Sequence, residues 1–154
     1  MDPYSNNLYA TLSTLGTLLI IFNLFSYGKY GVDFTDESFY LVWMSNPFIY
    51  NGSVSQFGFV HHLLYELLDG YIAHIRQANI LLVFGLNWWV VYFFISSVAF
   101  DLHASLVEKL SSSVGLATGA LIAFDSLVVT QSYNSLNFQG LRIAATGLLL
   151  VDKK

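Results

Sequence analysis

From Gln77 to Phe100 the chain carries no charged side chain. In water such a run must be covered on every side by other residues. The chain is 55% hydrophobic and only 10% charged, against about 25% charged in an ordinary soluble domain, so it lacks the polar residues for a solvated shell. The other available solvent is hydrocarbon, which a helix of about 20 apolar residues can cross. The sequence therefore predicts an all-α, multi-pass transmembrane helical bundle, with residues 1–154 forming a single transmembrane domain.

Four spans are expected, near 8–27, 79–100, 110–130 and 136–151, the last interrupted by Arg142 and stopped by Asp152-Lys153-Lys154. The first is read as a retained span. It begins with MDPYSNN in place of a basic start, and bulky aromatic residues from Phe22 to Tyr30 fill the place of a small-residue cleavage site. Four crossings put both termini on one side. Lys109, Lys153 and Lys154 then face Lys29 and Arg76, and the positive-inside preference places the termini in the cytoplasm and the loop 28–78 outside. The expected location is a prokaryotic cell membrane, or the endoplasmic reticulum in a eukaryote. Ten acids against six bases, with no basic tract, exclude a nucleic-acid partner. The absence of cysteine excludes a disulfide framework, a thiolate metal site and a cysteine nucleophile.

The long outer loop concentrates the polar chemistry. It holds five of the ten acids (Asp33, Asp36, Glu37, Glu66, Asp69) and three of the four histidines (His61, His62, His74). A loop of this length is uncommon unless it is structured or functional. Two short interfacial helices are expected in it. The first covers Ser38 to Ser45, with Thr35 or Asp36 as its N-cap and Asn46-Pro47 as its stop. The second follows the turn residues Asn51-Gly52-Ser53 and carries a stripe of Leu63, Leu64, Leu67, Leu68, Tyr71 and Ile72, with Gly70 as its weak point. The face of Leu64, Leu67, Leu68 and Tyr71 is expected to lie against the membrane or the bundle.

Asp36-Glu37 sits at the start of the first loop helix, just outside the membrane. Acids in a first turn stabilise the helix dipole, and that alone accounts for the pair about as well as any chemistry. The chemical reading is that an acid held at a membrane face can take a proton from an acceptor hydroxyl, or hold a divalent cation against a lipid phosphate. Adjacent residues point in different directions, so one acid would face the cavity while the other anchors the loop or reaches the cation. Lys29 and Arg76, each close to a span end, are candidate phosphate ligands. His61 and His62 lie about 100° apart on a helix and form no His-x-x-x-His pair, which makes a zinc site there improbable.

The order of these features, a first span, Asp36-Glu37-Ser38-Phe39-Tyr40 in the form D-E-x-x-Y, two loop helices, and then Arg76 leading into a second span, resembles the start of the GT-C superfamily of multi-pass glycosyltransferases. Protein O-mannosyltransferases and the aminoarabinose transferases of lipid A are members. The stretch from Val129 to Leu136 is similar to the family's second outer loop, although Tyr133 stands where O-mannosyltransferases tend to carry an arginine.

The resemblance implies inverting transfer of a sugar from a polyprenyl-phosphate carrier to a lipid, glycan or protein acceptor on the outer face. It implies Asp36 as base, Glu37 in a supporting or cation-linked role, and Lys29, Tyr40, Arg76, Tyr133 and Asn134 on the substrates. The candidate cofactor is a divalent cation held by Asp36 or Glu37. Family members carry roughly ten or more spans, so this chain is expected to be the amino-terminal part of a larger enzyme, inactive alone. One rival reading is a small non-enzymatic multi-span protein that packs with partner subunits. Another is a piece of a transporter that uses Asp125 or Arg142.

Overall fold

The computed structural model describes residues 3–30, 36–50, 56–99, 105–125 and 130–151, and these are all helix and turn. Thr35, the Asn51-Gly52-Ser53 turn and Val129 lie outside the described residues. Six α-helices follow in order: α1 (Pro3–Tyr27), α2 (Asp36–Ser45), α3 (Phe57–Leu67), α4 (Ile72–Phe94), α5 (Leu106–Thr118) and α6 (Tyr133–Val151). A 3₁₀ turn, Pro47–Tyr50, follows α2, a wider π turn, Ile95–Ala99, extends α4, and a 3₁₀ stretch, Gly119–Asp125, extends α5.

Local chemistry sets several of these boundaries. Pro47 lacks an N–H and disfavours the helical state in the residue before it, so α2 stops at Ser45. Beyond α3 the backbone turns left-handed at Asp69 (φ 51°) and Gly70 (φ 64°), which reverses the chain into α4. α5 opens on a capping box. Ser105 Oγ accepts from the Glu108 N–H at 3.2 Å, and Glu108 Oε2 accepts from the Ser105 N–H at 2.7 Å.

Two helical stretches, Asn7–Tyr27 and Ile72–Ser97, are long and apolar enough to cross a membrane. The second begins at Ile72 and not near 79, because Arg76, which reads as a flanking charge, is buried inside the helix's first turns by a partner described below. The expected stripe on the second loop helix also divides. α3 ends at Leu67, so Leu68 and Tyr71 leave its helical register. Leu64 and Leu68 are half-buried, Leu68 against the core, while Leu67 and Tyr71 are exposed.

An apolar core cluster lies among the loop helices, and Ile80 and Val83 of α4 and Ala117 of α5 are buried as well. Tyr40, Trp43 and Met44 of α2 pack with Phe57 of α3 and Ile75 of α4, and Leu136 of α6 closes one side. The α2–α3 crossing is close because residue 58 is glycine, and an added Cβ there would lie within 2.5 Å of Trp43 Nε1.

The long helices are joined by hydroxyls and amides. Ser13 Oγ donates to the Ser111 carbonyl at 2.9 Å, and the Thr17 and Thr118 hydroxyls meet at 2.6 Å, joining α1 to α5. Asn87 donates to the Ala117 carbonyl at 3.1 Å and Trp88 Nε1 to Ser113 Oγ at 2.8 Å, joining α4 to α5. Small residues and interhelical hydroxyls of this kind are how helices associate where apolar surface alone gives no drive. Trp88 thus has a partner on α5, while the adjacent Trp89 is about half exposed.

Candidate functional site

The centre of the end that carries the loop helices is a buried ion pair. Glu37, in the first turn of α2, is 1% exposed, and Arg76, in the second turn of α4, is 6% exposed. Arg76 Nε donates to Glu37 Oε1 at 2.7 Å and NH2 donates to Oε2 at 2.5 Å, the two-pronged geometry that a guanidinium makes with a carboxylate. Thr130 Oγ1 also donates to Glu37 Oε1. Arg76 NH1 donates to the backbone carbonyls of Gly28 at 2.6 Å and Tyr30 at 3.3 Å.

Four segments that are distant in sequence meet on this cluster: the end of α1, the start of α2, the start of α4, and Thr130, which precedes α6. Charges this deep are tolerated only when paired and hydrogen-bonded, and here both are. A cation at Glu37 would have to displace the guanidinium. Among the described residues no group of three His, Asp or Glu side chains is placed to hold a metal.

Asp36 has a different setting. It is exposed at the first position of α2, and its carboxylate lies near enough to act on Tyr40 one turn on. The Tyr40 phenol is held above its ordinary range, first by burial, then by Tyr133 and by Asp36. Tyr40 therefore stays protonated. The Tyr40 and Tyr133 rings pack with centroids 6.0 Å apart, so the start of α6 is laid against α2 beside the exposed acid. Asn134, the next residue, is exposed.

Lys29 and Arg76 line a cleft of about 350 Å³ with Asp69, Gly70, Tyr71, Ile72 and Ala73. Lys29 is exposed, and its ammonium stands 5.0 Å from the Tyr30 ring centroid. The candidate residues thus fall into two groups joined through Glu37 and Arg76: Asp36 with Tyr40 and Tyr133, and Lys29 with the cleft.

Thr130 and Gln131 lie in the Val129–Leu136 stretch, but neither was expected to carry a role of its own. The role of Thr130 depends on Glu37 far earlier in the chain. Gln131 is fully buried, and its amide oxygen and nitrogen make no hydrogen bond among the described residues. A Thr-Gln pair at the end of an apolar segment was the available clue. For His61 the expectation was a place at the headgroup level or a hydrogen bond within the loop, ahead of a metal site. His61 is buried against Phe57, with ring centroids 4.9 Å apart, and burial lowers its pKa to about 4. His62 instead pairs with the Met44 carbonyl at 2.7 Å, tying α3 to α2. Compared with known proteins, the chain matches no protein family, no curated protein and no solved structure significantly.

Proposed function

We propose that this chain is the front portion of a membrane-embedded inverting glycosyltransferase, with its first long loop on the outer face. The observation that carries the reading is the division of labour within the acid pair: Glu37 is engaged by Arg76 and Thr130, while the adjacent Asp36 is exposed beside Tyr40 and Tyr133. An exposed carboxylate on a firmly anchored helix start is suited to general-base work, because its neighbour holds the backbone in place without occupying it.

In this reading an acceptor hydroxyl attacks the anomeric carbon of the donor sugar. The bond to the polyprenyl phosphate breaks on the opposite face, the phosphate leaves with the bonding electrons, and the hydroxyl proton passes to Asp36. Lys29, at the edge of its cleft, would attract the departing phosphate's charge. Arg76, whose guanidinium already serves Glu37 and two carbonyls, acts by positioning. Tyr40, Tyr133 and Asn134 would orient the acceptor.

The same reading makes the domain a four-span bundle. α1 and α4 have the length and hydropathy, and α5 with its 3₁₀ extension covers roughly 33 Å, enough for the hydrocarbon layer. Asp36→Asn in the full-length enzyme keeps size and hydrogen bonding while removing basicity. Transfer from a polyprenyl-phosphate-linked sugar should fall by about 10²- to 10⁴-fold with thermal stability unchanged. Intact transfer together with a stability loss of about 1 kcal/mol would reduce Asp36 to a residue of the helix dipole.

A further inference from the structure

α3 has three sides, and only two are accounted for by protein and water. At about 100° per residue, Phe57, Gly58, His61, Leu64 and Tyr65 fall on one side, and all five are buried or half-buried toward α2 and the core. A second, narrow side carries His62 and the exposed Glu66. The third is an arc of about 100° formed by Phe59, Val60, Leu63 and Leu67. All four are exposed, Leu63 at 68% and Leu67 at 71%. The exposed Phe48 and Ile49 of the 3₁₀ turn after α2 widen this surface, with the Phe48 ring edge-on to Phe59 at 5.2 Å.

We infer that the Phe59, Val60, Leu63 and Leu67 face of α3, with Phe48 and Ile49, docks into the outer leaflet of the lipid bilayer at the boundary between headgroups and acyl chains. Two observations select lipid as the occupant. First, α3 ends only a short left-handed turn before Ile72, where the candidate span of α4 begins, so the helix is tethered at the level where that span leaves the bilayer. Second, the water-side edge carries Glu66 while the apolar arc carries no polar side chain, the division expected of a helix lying in an interface plane.

No lysine or arginine lies on α3, so the docking draws on apolar contact and not on anionic headgroups, and uncharged lipid suffices. The inference rests on the membrane residence of α4 and is independent of any transfer chemistry. The sequence expectation put Leu64, Leu67, Leu68 and Tyr71 against the membrane or the bundle; Leu64 and Leu68 are half-buried toward the protein, and the inferred lipid-facing set is Phe59, Val60, Leu63 and Leu67.

The chain has no cysteine, so single nitroxide labels can be attached at Leu63→Cys, Leu67→Cys and Glu66→Cys without further changes. The whole chain is reconstituted in phosphatidylcholine vesicles, and each label's collisions with oxygen, which concentrates in lipid, are compared with those of a water-soluble nickel chelate. The expected result is oxygen dominating at 63 and 67 and the chelate dominating at 66. Chelate dominance at 63 and 67 overturns the inference by showing a wet face. Shielding from both reagents overturns it in favour of a second copy or another protein on that face. A label at Leu81→Cys, on the exposed side of α4, separates the two levels of the argument. If it too meets the chelate, the membrane reading itself fails, and if it meets oxygen while 63 does not, only the docking of α3 fails.

Discussion

Glu37 and Arg76 are each other's reason for being buried. Removing one partner leaves the other as an uncompensated, largely buried charge, which costs on the order of 3 kcal/mol. Glu37→Gln and Arg76→Met should therefore each lower stability by about that amount in detergent unfolding experiments, while the double substitution should lose clearly less than the two combined. Simple additivity would show that the pair is not coupled. His61 offers a second residue-level test. Its pKa is lowered to about 4 by burial, below the ordinary histidine value of 6.5. The unfolded chain therefore binds that proton more readily than the folded one. The stability this site contributes is complete above pH 6.5 and declines as pH falls from there toward 4, by up to about 3 kcal/mol. His61→Leu should flatten the stability profile between pH 6.5 and 5, and an unchanged slope would place the acid sensitivity elsewhere.

Between helices the governing quantity is how closely backbones approach. α2 and α3 cross where Gly58 faces Trp43, and a Cβ at that position has no room unless the indole or the helix moves. Gly58→Ala should lower stability by about 1–3 kcal/mol despite the gain in helix propensity, measurable by thermal unfolding. Gly85→Ala, a helical glycine with open space around its would-be Cβ, is the control and should be neutral or slightly stabilising. The same contrast explains what the sequence could reveal. The end of α2 was readable because Asn46-Pro47 is a local signal, whereas its start lies two residues before the expected Ser38, with Asp36 inside the helix and not its N-cap. The start of α4 was not readable, since Arg76 looks like a flanking charge until Glu37 is known to neutralise it. The leucine stripe misled for a related reason: period alone cannot say that the chain leaves helical register at Asp69 and Gly70. Asp36-Glu37 could be recognised as a candidate site, but which acid is buried depends on Thr130 and Arg76, and no spacing rule connects those positions.

For the molecule as a whole, the cluster around Arg76 fixes which helix ends lie together. The end of α1, the start of α4 and the residue leading into α6 all reach it, so the chain must return to this level after α4 has carried it away, and α5 with its 3₁₀ extension makes that return. The side-chain pairs agree with this path. Ser13 and Thr17 rise along Ser111 and Thr118, so α1 and α5 run in the same direction. Ser135 meets Asn79 at 3.0 Å near the starts of α6 and α4, so those two also run together. If the path crosses a bilayer, the exposed residues Glu66 and Ser105, which flank α4, lie on opposite faces, with Glu66 outside by the distribution of lysine and arginine. In intact cells a membrane-impermeant thiol reagent should label Glu66→Cys, and should label Ser105→Cys only after permeabilisation. Labelling of both without permeabilisation would mean that α4 does not cross. Labelling of Ser105→Cys alone would invert the protein and move Asp36, Lys29 and the cleft to the cytoplasmic side, where a sugar transfer on the outer face could not use them.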